Sequence, residues 1–192
     1  YLPRPCAAKE STLSYLTRRT VLARLTVLGS MGLLPSRLLA QLISEPAPTS
    51  LFDKNSTAEA VTAGLDLSDK TYVLTGANSG LGLETMRVLA QRGARVIGTA
   101  RSWSKAENAC DQVDGRTIPE MLDLADWGSV ATCAARIRAM NFPIDGLICN
   151  AGIVSIAERE LVNGLEKHFV VNHLGHFILA NQLMDEVLAA DQ

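Results

Sequence analysis

The sequence predicts an α/β fold, a doubly wound parallel sheet of about four strands with helices on both faces. Three observations carry this. From Lys70 onward, short β-branched and apolar runs alternate with helix-length segments. The first run ends in a glycine-rich turn that opens a helix. With 47% hydrophobic and 20% charged residues among 192, the chain can also bury a core, which excludes wholesale disorder.

Taken in order, Thr71-Tyr72-Val73-Leu74-Thr75 reads as a buried strand, and Leu81 to Gln91 as a helix stopped by Gly93. Arg95 to Thr99 is the second strand and Ser104 to Gln112 a polar helix. Thr117 to Leu122 is a weaker strand, because Pro119 cannot donate to a ladder on both sides. Val130, Cys133, Ala134, Ile137 and Met140 recur at three and four residues, one apolar helical stripe. Ile144 to Cys149 is a fourth strand, and a long helix runs from Leu165 to about Ala189. Such alternation implies parallel pairing and right-handed crossovers.

The charge is unevenly spread. Residues 1–40 hold six basic side chains and one acidic one, whereas the rest of the chain has a net charge of −7. In this head Arg18-Arg19 precedes a moderately apolar run, Val21 to Leu34, followed by Pro35 and a small-residue point at Ala40. The pattern resembles a twin-arginine export leader, which would make the protein periplasmic through an export machinery. An organelle transit peptide and an amphipathic surface helix are the alternatives, leaving the protein organellar or cytoplasmic. Residues 41–69 read as linker and lead-in, with Gln41 to Thr62 lacking sustained periodicity. The overall net charge of −2 gives no sign of a nucleic-acid partner. The four cysteines (Cys6, Cys110, Cys133, Cys149) form no CxxC pair and read as unpaired thiols.

The turn Thr75-Gly76-Ala77-Asn78-Ser79-Gly80-Leu81-Gly82 carries the chemistry of a Rossmann-type site. Gly76 permits a tight turn, Gly80 lets the backbone approach a diphosphate, and Gly82 lets helix and strand pack closely. The unsatisfied N–H groups and the positive end of the helix dipole then face the anion. At the end of the second strand a carboxylate would accept hydrogen bonds from the ribose of NAD, but here Ala100-Arg101 stands in its place. Arg101, with Lys105 one turn further on, suits a 2′-phosphate, which favours NADP over NAD; a solvated surface arginine is the competing reading.

These residues resemble the short-chain dehydrogenase/reductase family. TGANSGLG (75–82) resembles its TGxxxGxG turn, Asp123-Leu124 its adenine-contacting acidic position, and Asn150-Ala151-Gly152 its NAG element. The stretch from Gly164 to Phe177, with Asn172-His173-Leu174-Gly175-His176, is similar to the branch containing retinol dehydrogenases, WW-domain oxidoreductases and protochlorophyllide reductases. The resemblance covers roughly residues 55–192. It implies an NADP-binding domain over 70–192 that holds the nucleotide at Gly76, Asn78, Ser79, Gly80, Leu81, Gly82, Arg101, Asp123, Leu124, Asn150, Ala151 and Gly152. It further implies hydride transfer between NADP(H) and a small hydrophobic carbonyl or alcohol, and pairing into a homo-oligomer.

Of the family's catalytic Asn, Ser, Tyr and Lys, only the Asn maps, to Asn172. The tyrosines, Tyr1, Tyr15 and Tyr72, have no lysine four residues on. The displayed chain is therefore expected to be an inactive N-terminal fragment of an oxidoreductase. A nucleotide-binding redox sensor or scaffold without catalysis is the alternative. Asn172 and Gly175 are poor helix formers within an expected helix, which predicts a kinked or π-type turn there, freeing a carbonyl for a proton relay. His168, His173 and His176 cluster in nine residues, but only the last two would be neighbours on a helix, so no metal site is predicted. Trp103 and Trp127 are expected to pack at the ends of the sheet, and Asp145, Glu158 and Glu160 to be solvated loop charges.

Overall fold

The computed structural model describes residues 52–154 and 158–190. The expected leader and Cys6 lie outside them. The elements run in chain order as α1 (Ala58–Val61), β1 (Thr71–Leu74), α2 (Gly80–Gln91), β2 (Arg95–Ala100), α3 (Trp103–Asp111), β3 (Arg116–Met121), α4 (Trp127–Ala139) and β4 (Gly146–Ile148). A hairpin of β5 (Leu161–Val162) and β6 (Leu165–Glu166) follows, then α5 (Lys167–Phe169), a π-helical turn (Val170–Leu174), α6 (Gly175–Gln182) and α7 (Met184–Ala189).

The four main strands pair in parallel in the order β3-β2-β1-β4. This is an α/β Rossmann-type sheet, as the alternation predicts. Successive residues of a strand face opposite sides, and the core divides accordingly. Val73 and Ile97 pack with Val130, Cys133, Ala134 and Ile137 of α4 and with Leu179 of α6. Leu74 and Val96 pack on the other face with Met86 and Ala90 of α2 and with Ala109 of α3. Pro119 sits in β3, paired on one side only with Gly98 of β2, the edge position a proline tolerates.

Several expectations are corrected. The segment from Leu165 to Ala189 is not one helix. Asn163 and Gly164 both take positive φ (52° and 79°), which closes a two-residue hairpin and turns Leu165–Glu166 into a strand. The helix then starts at Lys167, capped by the Glu166 carboxylate, which accepts from the N–H groups of His168 and Phe169. Part of the lead-in is also ordered: α1 docks on α2 because Arg87 pairs with Glu59 and Arg92 donates to the Glu59 carbonyl (2.8 Å).

Trp103 and Trp127 join neither core cluster; each opens a helix, and they stay 47% and 39% exposed, respectively. Asp145 is not solvated: it takes Lys70 Nζ and the Thr71 N–H, both at 2.8 Å. Partial burial opposes its ionisation, yet the ammonium and the N–H hold it below the usual carboxylate range. Glu160 pairs with Lys167 at 2.6 Å, while Glu158 is exposed. Cys110, Cys133 and Cys149 are free thiols; burial pushes Cys133 up to about 12, so it is inert.

Candidate functional site

The order of strands changes direction at β1, which lies between β2 and β4, and a ligand crevice is expected at the carboxyl ends of the strands there. A cavity of about 680 Å³ occupies that place. Eleven of the twelve residues expected to bind nucleotide line it: Gly76, Asn78, Ser79, Leu81, Gly82, Arg101, Asp123, Leu124, Asn150, Ala151 and Gly152. They come from four separate stretches of chain. Gly80 is not in the wall; its φ of +55° turns the chain into α2 instead.

The glycines show why the turn needs them. At Gly82 a Cβ would stand 2.1 Å from the Gly76 carbonyl oxygen. At Gly76, where φ is +69°, it would stand 2.9 Å from the Cα of Ala151. The turn is thus pressed against itself and against the loop after β4. The Asn150 amide clamps it, donating to the carbonyls of Thr75 (2.9 Å) and Gly76 (3.2 Å). The Thr75 hydroxyl oxygen accepts the Ala151 N–H at 3.0 Å.

The start of α2 is left open for an anion. Ser79, its N-cap, makes no side-chain capping bond, and no acidic residue occupies the first turn. First-turn N–H groups without a side-chain partner, together with the helix dipole, form a ready site for phosphate. Arg101, also in the cavity wall, is exposed and has no ion-pair partner among the described residues. Asp123 is less free, since its carboxylate accepts the Ala125 N–H at 2.9 Å.

Asn172 does not line the cavity; it holds the loop that does. Its Oδ1 accepts the Ile153 N–H (2.8 Å) and its Nδ2 donates to the Ile153 carbonyl (2.9 Å). The irregular turn predicted around it is present as the π-helical turn Val170–Leu174. Its own carbonyl is engaged by His176 Nδ1 at 3.3 Å. Gly175 is required for packing, since a Cβ there would meet the Leu124 carbonyl oxygen at 2.5 Å.

The three histidines part company. His168 bonds Glu166 (2.6 Å), His173 stacks between Phe169 and Phe177, and His176 is buried against Thr75. Outside the expected set, the wall includes Thr99, Ala100, Leu122 and Ala125 beside the expected residues, and also Ile153, Val162, Lys167 and Val171. Ile153 and Val171 adjoin the expected residues, so a signal existed, whereas Val162 and Lys167 arrive only because the hairpin folds over.

The comparisons agree with this geometry. A family model described as short chain dehydrogenase matches residues 70–192. The WW domain-containing oxidoreductase of Gallus gallus is 38% identical over 150 residues, 76% of this chain and 36% of that protein. Retinol dehydrogenase 12 of Mus musculus is 37% identical over 131 residues, 66% of this chain and 42% of its own. The chain therefore spans well under half the length of these two relatives. Among solved structures, a metagenomic short-chain oxidoreductase in complex with NADP superposes with a TM-score of 0.57 at 25% identity, covering 66% of this chain and 60% of that one. With the glycine turn, the loop after β4 and the Asn172 turn converging on one crevice, the chain belongs to the short-chain dehydrogenase family, in the branch of these oxidoreductases.

Proposed function

We propose that the cavity holds NADP(H), and that the whole protein transfers a hydride between this nucleotide and a small hydrophobic carbonyl or alcohol. The observation that carries the reading is the uncapped start of α2, pressed by Gly76 and Gly82 against the loop after β4, beside a cavity whose wall also includes Arg101. The residues fit the group. N–H groups of the 76–82 turn would take the diphosphate, Arg101 the 2′-phosphate, and Leu124 with Asp123 would flank the adenosine. The nucleotide, when bound, supplies or accepts the hydride. Asn172 keeps the loop after β4 in shape through Ile153. The substrate class rests on the likeness to relatives named oxidoreductases and retinol dehydrogenases.

None of the three tyrosines has a lysine four residues on, so the 192 residues alone are expected to bind nucleotide without turning over an aldehyde. Titration with NADPH and NADH, followed by nucleotide fluorescence or calorimetry, tests the binding step. NADPH should bind more tightly, and Arg101→Glu should reverse the preference, since a carboxylate repels the 2′-phosphate and accepts from a ribose hydroxyl. An unchanged ratio removes Arg101 from the site; no binding of either nucleotide removes the site itself.

A further inference from the structure

We infer that His176 is a positioning residue for the cavity: as a neutral imidazole protonated on Nδ1, it joins the Asn172 turn to the loop after β4 through the Thr75 hydroxyl. His176 is only 7% exposed and is not part of the cavity wall. Its Nδ1 lies 3.3 Å from the Asn172 carbonyl oxygen, and its Nε2 lies 2.9 Å from Thr75 Oγ1. A carbonyl only accepts, so Nδ1 must donate. In a neutral ring Nε2 is then the acceptor, and the Thr75 hydroxyl donates to it.

The same hydroxyl oxygen accepts the Ala151 N–H, so donors follow one direction: Ala151 to Thr75 to His176 to Asn172. The Ile148 carbonyl, at 3.4 Å, is the longer alternative acceptor for Thr75. Burial disfavours the imidazolium and pushes His176 below its ordinary value, outweighing the Asn172 carbonyl, which favours the charged form. Both ends of this chain of bonds grip the cavity. Ala151 and Asn150 are tied to Thr75 on one side, and Asn172 holds Ile153 on the other. The imidazole acts through them and touches no ligand.

The role in nucleotide binding rests on the function proposed above; the tautomer does not. Long-range proton–nitrogen NMR on histidine-labelled chain reads the tautomer with no nucleotide present. Protonation on Nδ1 is expected, and an Nε2–H ring overturns the inference. NADPH titration of three variants gives the second arm. In His176→Gln the side-chain amide reaches the Nε2 position and accepts from Thr75, whereas His176→Asn reaches only the Nδ1 position, and His176→Leu reaches neither as a polar group. Gln should stay within about threefold of the parent affinity, while Asn and Leu weaken it about tenfold, the equivalent of one net hydrogen bond. A Leu variant that binds like the parent, or a Gln variant that fails as Leu does, overturns the inference. Should the parent bind no NADPH, the proposed function falls. Exchange of the Ala151 amide, fast in the Leu variant and slow in Gln, then supports the positioning role; equal exchange overturns it.

Discussion

The cavity is held from two sides by unlike means. On one side, residues 75–82 are shaped by what is missing: Gly76 and Gly82 sit where a single Cβ would collide with backbone. On the other, residues 160–176 are shaped by what is present. A hairpin turn, a carboxylate cap at Glu166, and the Asn172 amide bonded to Ile153 each supply polar contacts that hold an irregular backbone in place. The first kind of constraint is steric and all-or-none; the second is a sum of modest bonds. Substitutions on the two sides should therefore fail differently.

The largest effect is expected at Gly82. Gly82→Ala drives a methyl into the Gly76 carbonyl, with backbone rather than a flexible side chain in the way. A loss of about 3 kcal/mol, near the top of the range for overpacking, should appear in urea unfolding, with nucleotide affinity lost alongside. An alanine variant as stable as the parent would show that the helix can slide away from the turn.

Asn172→Ala should be milder, because it removes two hydrogen bonds to one loop residue. About 1–2 kcal/mol is expected, with faster amide exchange confined to the loop after β4. Exchange changing across the whole sheet instead would mean that Asn172 supports the core and not the loop.

The smallest effect is a matter of pH. The N–H groups of His168 and Phe169, then the His168 ring, hold the Glu166 carboxyl down at about 2. A depressed carboxyl contributes stability that is present above its unfolded value near 4.5 and is lost as pH falls through about 2. The difference in Tm between the parent and Glu166→Ala should therefore be flat at neutral pH and shrink only between about 4.5 and 2. A gap that closes well above pH 4.5 would show that the Glu166 carboxylate is not the group responsible.

How much was legible follows from the same contrast. The glycine turn and the strands around it were readable because backbone freedom and β-branching act within a few residues. The irregular turn at Asn172 was readable too, since Asn and Gly are poor helix formers at any position. The hairpin is harder to read from sequence, although Asn163-Gly164 is a strong turn signal. Each of its strands has two residues, too few for alternation to register, and the flanking Leu165 to Ala189 has helical composition. Asp145 reads as a loop charge in the sequence because its partner, Lys70, is 75 residues away.

The sequence by itself determined where the chain must turn tightly and which runs become strands, both set by the conformational preferences of neighbouring residues. That Asp123, Leu124 and Asn150 to Gly152 join the glycine turn in one site is implied by the family resemblance and not by any local preference. Only the tertiary structure decided which histidine is buried and what it touches. Thr75 and His176 are 101 residues apart and meet because β1 lies beside β4 and α6 packs against the sheet. A side chain's nearest neighbour across such a gap is a property of the packed layers, and no local pattern encodes it.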